Sequence, residues 1–139
     1  VTYDRYLDTT TSGPQFLKDK RVAKMICTAM LHLDNLKYEL LAFCVMSNHV
    51  HLVFTPLRMD TGEYHSLAEI MHSIKSYTAS EVNRILGRKG TPFWQHESFD
   101  HFCRDEKDVE RVIEYTVNNP VRAGLVDKAE DWPWSYVSS

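Results

Sequence analysis

The stretch from Lys37 to Phe54 constrains the fold most. Two apolar, aromatic-rich runs, 37–46 and 49–54, are separated by only Ser47 and Asn48. Runs of this length, bounded by turn-forming residues, read as strands, and so short a spacer makes them an antiparallel hairpin. Pro56 closes the second strand. A hairpin this apolar needs a cover, and the rest of the chain supplies helices.

From Lys18 to Leu33 the residues Val22, Met25, Ile26, Ala29, Met30 and Leu33 recur at helical spacing, with Asp34 and Asn35 ending the run. Ser66 caps a second helix, with Glu69 three residues on as in a capping box. Leu67, Ile70, Met71, Ile74, Thr78, Val82 and Ile85 are its core stripe, and Gly87 and Gly90 end it. Residues 98–103 form a short strand candidate. A last helix starts at Asp105 and stops near Asn119, because Pro120 cannot continue it. Residues 1–15, with a Ser12-Gly13-Pro14 turn signal, force little regular structure. Trp132-Pro133-Trp134 reads as an aromatic plug against the core. The expected fold is α+β: a central antiparallel sheet with helices covering one side.

Length and composition set the remaining bounds. A chain of 139 residues fits a single domain, 1–139, with one core. Its longest apolar stretch, Leu40 to Met46, is far too short to span a membrane, so no membrane partner is expected. Val1 opens without a charged-then-apolar leader, and no signal peptide is read. Cys27, Cys44 and Cys103 are odd in number and widely spaced, which points to free thiols in a reducing, cytoplasmic setting. The net charge of −3 excludes a broadly basic nucleic-acid coat, so any DNA surface must be local.

Side chains alternate faces along a strand, so His49 and His51 project together while Val50 and Leu52 face the other way. Two adjacent imidazoles can bind one divalent cation but leave its shell open for a third ligand and for substrate oxygens. A chain with seven histidines also places two on one strand face by chance, and spacing alone does not separate the readings.

On the last helix, Val109, Val112, Ile113 and Val117 form the core stripe, and Tyr115 falls roughly 130° from its centre at about 100° per residue. Arg111 lies four residues before Tyr115 and Asn119 four after, so a guanidinium, a phenol and a carboxamide share one polar edge. A phenol is a poor nucleophile at neutral pH, with a reference pKa of about 10, unless a metal polarises the group it attacks. The Asn119 amide oxygen is a hard ligand that suits Mg²⁺ or Mn²⁺ and could complete the histidine pair. Taken alone, Tyr115 reads better as a surface aromatic and Asn119 as a residue ending a helix before Pro120; the functional reading gains ground because the histidine pair independently asks for a third ligand.

Candidate DNA contacts lie on the second helix, where Tyr77, Arg84 and Arg88 share a flank beside Lys75 and Lys89. Basic residues with an aromatic among them suit a single-stranded backbone with stacked bases. An ordinary solvated helix face has the same composition. Trp94 and His96 are loop candidates, with Trp94 reading equally as core. His101 reads either as a group beside the proposed site or as a partly buried strand residue.

Val45-Met46-Ser47-Asn48-His49-Val50-His51-Leu52-Val53 resembles the His-hydrophobic-His signature of the single-tyrosine transposases. The run from Tyr115 to Val126, with Asn118-Asn119-Pro120-Val121-Arg122 at its centre, resembles the tyrosine helix of the REP-associated branch of that family. Phe93-Trp94-Gln95, Arg104-Asp105-Glu106 and Trp132-Pro133-Trp134-Ser135 are similar to that branch as well. The resemblance implies a ferredoxin-like sandwich, a divalent metal on His49 and His51, and Tyr115 as the nucleophile. It implies cleavage of single-stranded DNA beside a hairpin through a 5′-phosphotyrosine that a 3′-hydroxyl later resolves. It implies a bacterial, nucleoid-associated setting. Arg122 joins the DNA-contact candidates, and a homodimer is an open expectation. Relatives often carry glutamine where this chain has Asn119. The family also begins with a strand not legible in full before Tyr6: either Val1 to Tyr3 is its remnant, or the strand is truncated, which would leave a sheet edge open. Two other functions remain: a protein that holds hairpins without cutting them, and a metal-assisted hydrolase using water.

Overall fold

The computed structural model describes residues 1–9, 17, 19–95 and 101–138, and the backbone of Asp100. The Ser12-Gly13-Pro14 turn, His96 and the start of the 98–103 strand candidate lie outside these residues. The strands are β1 (Tyr3–Asp8), β2 (Tyr38–Val45), β3 (His49–Pro56), β4 (Asp100–Phe102) and β5 (Ser135–Val137). The helices are α1 (Lys20–Leu33), α2 (Leu67–Leu86), α3 (Glu106–Val117) and the single turn α4 (Asn119–Arg122). The sheet order is β4-β1-β3-β2-β5, and every neighbouring pair is antiparallel. Two interleaved β-α-β units, β1-α1-β2 and β3-α2-β4, produce the first four positions of this order, which is the ferredoxin-like arrangement.

The β2–β3 hairpin and α2 form where expected. The Ser66 hydroxyl accepts the Glu69 N–H at 3.1 Å, and Gly87 ends α2 in the left-handed region at φ 68°. Two expectations are corrected. The opening segment is not irregular: Tyr3–Asp8 pairs along its whole length with β3 and, at residues 3–5, with β4. This strand therefore lies inside the sheet, and the edge expected from a truncated first strand does not arise there. Its three acidic or basic residues, Asp4, Arg5 and Asp8, hide the strand pattern, and only pairing across the chain reveals it.

The helices are also not confined to one side. Val50, Leu52 and Phe54 of β3, with Leu7, Leu40 and Phe43, pack under α1 and α2. The opposite face holds Ala42 and Val53 against Val109, Val112 and Ile113 of α3. An extra residue in β2, at the bulge between Leu40 and Ala42, turns Ala42 and Cys44 toward α3. Small side chains there let α3 lie close to the sheet. The buried positions of α3 are Val112 and Thr116, not Val117. The helix ends at Val117, and Pro120 sits in the first turn of α4, where its missing N–H costs nothing. Among the described residues, no helix is long and apolar enough to cross a membrane.

Candidate active site

The α3 face of the sheet carries the site. Alternation along β3 puts His49 and His51 on this face, and the antiparallel register sets Tyr6 of β1 directly across from His51. Asp4 and Asp8 share that face by the same alternation. The two imidazoles are held in one tautomer by their local partners. The Thr116 hydroxyl donates to the Val112 carbonyl at 2.7 Å, so it accepts from His51 Nδ1–H at 3.1 Å. Asn48 Oδ1 lies 2.9 Å from His49 Nδ1, and the Asn119 amide donates to His49 Nε2 at 3.2 Å. Nδ1–H thus donates in both rings, which leaves the His49 Nε2 lone pair toward the Asn119 amide and turns His51 Nε2 to the Asp4 carboxylate.

Burial lowers the pKa of His49 below its ordinary value; nearby His51 acts the same way, while Asp8 opposes them. His49 is therefore a neutral donor at neutral pH. His51 is fully buried, and its Nε2 faces Asp4 Oδ2 at 3.4 Å. Two acceptors at this separation suit a shared cation. A carboxamide stands against one Nε2 and a carboxylate against the other, so the donor set of imidazole nitrogens and hard oxygens fits a divalent ion such as Mn²⁺ or Mg²⁺. The one-carbon-shorter side chain of Asn119 does reach His49.

Tyr115 stands beside this pair. Its ring is edge-on to His51 with 6.5 Å between centroids, and the residue is 49% exposed. The Arg122 guanidinium lies over the Tyr115 ring, 3.5 Å from its centroid. Asp4, Tyr6, His101, Arg111, Val112 and Tyr115 line a cleft of about 230 Å³. Tyr6 stacks on His51 at 4.0 Å, and burial, then Tyr115 and Asp4, push its phenol above the ordinary tyrosine range.

Thus one chain brings together His49, His51, Tyr115, Asn119 and Arg122. Sequence reasoning missed Asp4, Tyr6, Asn48 and Thr116. Asn48, next to His49, and Thr116, next to Tyr115, were within reach of local inspection; Asp4 and Tyr6 required knowing that β1 pairs with β3. The α2 candidates are elsewhere, because α2 packs on the opposite face of the sheet. There Tyr77 lines a groove with Arg21, Lys24 and His32 of α1. Arg84 is paired with Glu81, the Arg88 Nε donates to Asn83 Oδ1 at 3.0 Å, and Lys75 reaches the Gln95 carbonyl at 3.5 Å. Of the two readings of Trp94, its placement favours core: it is buried, and its indole N–H donates to Thr78 Oγ1 at 2.9 Å.

The family model described as "Transposase IS200 like" matches residues 15–119. A REP-associated tyrosine transposase of Escherichia coli K12 is 30% identical over 98 residues, covering 70% of this chain and 53% of that protein. A Haemophilus influenzae protein with the same REP-associated designation is 27% identical over 107 residues, covering 73% of this chain and 60% of the relative. The chain thus spans between half and two thirds of the length of these relatives. A solved structure of a REP-associated tyrosine transposase bound to a REP hairpin superposes with a TM-score of 0.69 at 21% identity, covering 96% of this chain and 74% of that one. That likeness speaks for the fold. The match over residues 15–119, together with the paired histidines and the tyrosine beside them, places the chain in the IS200-like transposase family.

Proposed function

We propose that this protein nicks and rejoins single-stranded DNA next to a hairpin, with Tyr115 as the nucleophile and a divalent metal held by His49, His51 and an oxygen ligand. The observation that carries the reading is the approach of Tyr115 to His51 within one chain, 6.5 Å between ring centroids, with each imidazole presenting Nε2. Turned over, the Asn119 carboxamide presents its oxygen where its nitrogen now meets His49, and Asp4 offers a carboxylate to His51. When bound, a divalent ion supplies charge that polarises the scissile phosphate.

The Tyr115 oxygen bonds to phosphorus, the bond from phosphorus to the 3′-oxygen breaks, and the phenol proton ends on the released 3′-hydroxyl. Reversal by a 3′-hydroxyl restores the phenol and joins strands. The partly exposed Tyr115 ring is accessible to a DNA strand, and Arg122 over it, with Arg111 in the same cleft, offers positive charge to a phosphate. A hairpin fits a second surface, on the far side of the sheet, where Tyr77 lines the α1–α2 groove and Arg84, Arg88 and Lys89 cluster at the end of α2. Lys75 sits deeper and contributes charge only near Gln95. Attack within one chain needs no second copy.

The test is incubation with a hairpin-flanked single strand and Mn²⁺, followed by denaturing electrophoresis. The expected outcome is a protein–DNA adduct in the wild type, none in Tyr115→Phe, and none with chelator. Hairpin binding should survive in Tyr115→Phe. Free 5′ ends without an adduct would make water the nucleophile; binding without any cleavage would leave a hairpin-holding protein. Mixing Tyr115→Phe with His49→Ala protein should not restore the adduct if attack is within one chain.

A further inference from the structure

A second group of metal-binding side chains lies where β4 meets α3. His101 is in β4, Cys103 follows it directly, and Asp108 is in the first turn of α3. One ligand atom from each falls within 4.8 Å of the other two. A tetrahedral zinc-type ion with bonds of about 2.0–2.3 Å would draw such a trio in by about 1 Å or less each. The groups are also held in place. The Cys103 N–H donates to the Thr2 carbonyl at 2.7 Å, which fixes it against the start of β1. Asp108 accepts the Arg104 N–H at 3.0 Å and pairs with Arg111, and a carboxylate has acceptor capacity beyond those two contacts. Asp4 reaches the same imidazole, its Oδ1 3.6 Å from His101 Nδ1. A carboxylate behind a histidine is the arrangement that orients ligating imidazoles.

The donor types differ from those of the His49–His51 pair. Thiolate, imidazole and carboxylate together suit Zn²⁺ over Mg²⁺, because sulfur is a soft ligand. Charge favours a cation as well: the Asp4 and Asp108 carboxylates face the Arg111 guanidinium, and once Cys103 gives up its proton a divalent ion brings the cluster near neutrality. We propose that His101, Cys103 and Asp108 form a second, zinc-type metal site that clips the edge strand β4 to the start of α3. Binding releases the Cys103 thiol proton to solvent and leaves one coordination position open. β4 has three residues and, among the described strands, pairs with β1 alone, so a clip to α3 adds a second anchor to a short edge strand. The far end of α3 carries Tyr115, and His101 lines the same cleft as Tyr115, so the clip sets the wall against which the nucleophile stands.

The test uses the full chain, stripped of metal, with Co²⁺ as a spectroscopic stand-in for Zn²⁺. A His49→Ala/His51→Ala background removes the other pair. The expected result is one equivalent of Co²⁺ with a sulfur-to-cobalt charge-transfer band in that background, displaced by Zn²⁺ and absent in Cys103→Ser. The half-exposed His101→Gln should weaken Zn²⁺ binding by more than the roughly 10–100-fold that loss of an outer-sphere partner brings. Zn²⁺ should raise the thermal midpoint of the background protein and leave that of Cys103→Ser unchanged. Absence of the band in the folded background protein, or its persistence in Cys103→Ser, overturns the site. If Cys103→Ser fails to fold by circular dichroism, His101→Gln decides: undiminished Zn²⁺ affinity there overturns the site as well.

Discussion

His51 and Thr116 are joined by a buried hydrogen bond of 3.1 Å that couples β3, with its histidine pair, to α3, which carries Tyr115. Thr116 directly follows Tyr115, and its hydroxyl also donates back to Val112 one turn earlier. This one hydroxyl fixes the His51 tautomer and the distance between β3 and α3. It also explains why a polar residue takes a core position in α3, with valine displaced to the flank.

Thr116→Val keeps the volume and removes the hydroxyl. The His51 Nδ1–H is then buried without an acceptor, which should cost about 1–3 kcal/mol in stability. Mn²⁺ affinity should fall about 10–100-fold, as for other lost partners of ligating histidines. Urea denaturation and calorimetric titration measure the two. An unchanged Mn²⁺ affinity in a folded variant would detach Thr116 from the metal pair.

Arg122→Ala removes the cation over the Tyr115 ring. A contact of this kind at a partly exposed site contributes about 0.5–1 kcal/mol. Single-turnover adduct formation should slow by about two- to fivefold. Arg122→Lys should recover only part of the rate, since an ammonium lacks the planar stacking of a guanidinium. Faster adduct formation in Arg122→Ala would mean that Arg122 restrains Tyr115 instead of presenting it.

Trp94→Phe separates packing from DNA contact. The indole bond to Thr78 is lost, but Thr78 stays satisfied through the Ile74 carbonyl at 2.7 Å. A stability loss of about 1–2 kcal/mol is expected from the lost bond and the small void. Hairpin affinity should not change, whereas Tyr77→Ala should weaken it, because Tyr77 is exposed in the α1–α2 groove. Gel-shift titration at fixed salt compares the two, and weakening confined to Trp94→Phe would reverse the assignment.

The His49 shift sets a pH dependence. Burial holds its folded pKa below the ordinary 6.5, so the folded chain refuses a proton that the unfolded chain accepts. Stability from this group is complete above about pH 6.5 and declines as the pH falls from there toward the lowered folded value. His49→Gln does not titrate. With chelator present, the urea midpoint of wild type relative to His49→Gln should therefore drop between about pH 7 and pH 5. A constant difference across that range would show that burial does not hold His49 neutral.

The sequence by itself determined what depends on short spacings. Hairpin, capped α2, the shared face of His49 and His51, and the nearness of Tyr115 and Asn119 all follow from periods of two and 3.6 and from local capping. Tertiary structure decided what depends on pairing between distant segments. β1 is too polar to announce itself, yet its pairing with β3 puts Tyr6 on His51 and Asp4 beside it. Which sheet face α3 covers was settled by the small residues Ala42 and Val53 and by the bulge at Leu41. That choice sets Tyr115 against the histidines and leaves the α2 basic flank on the far side. A strand or helix pattern names the face a residue shares with its neighbours, but not what stands opposite that face. The pair His49 and His51, with Tyr115 and Asn119 as its complement, could thus be read as a candidate site from the chain alone, whereas Asp4 and Tyr6 came only from contacts that span the sheet.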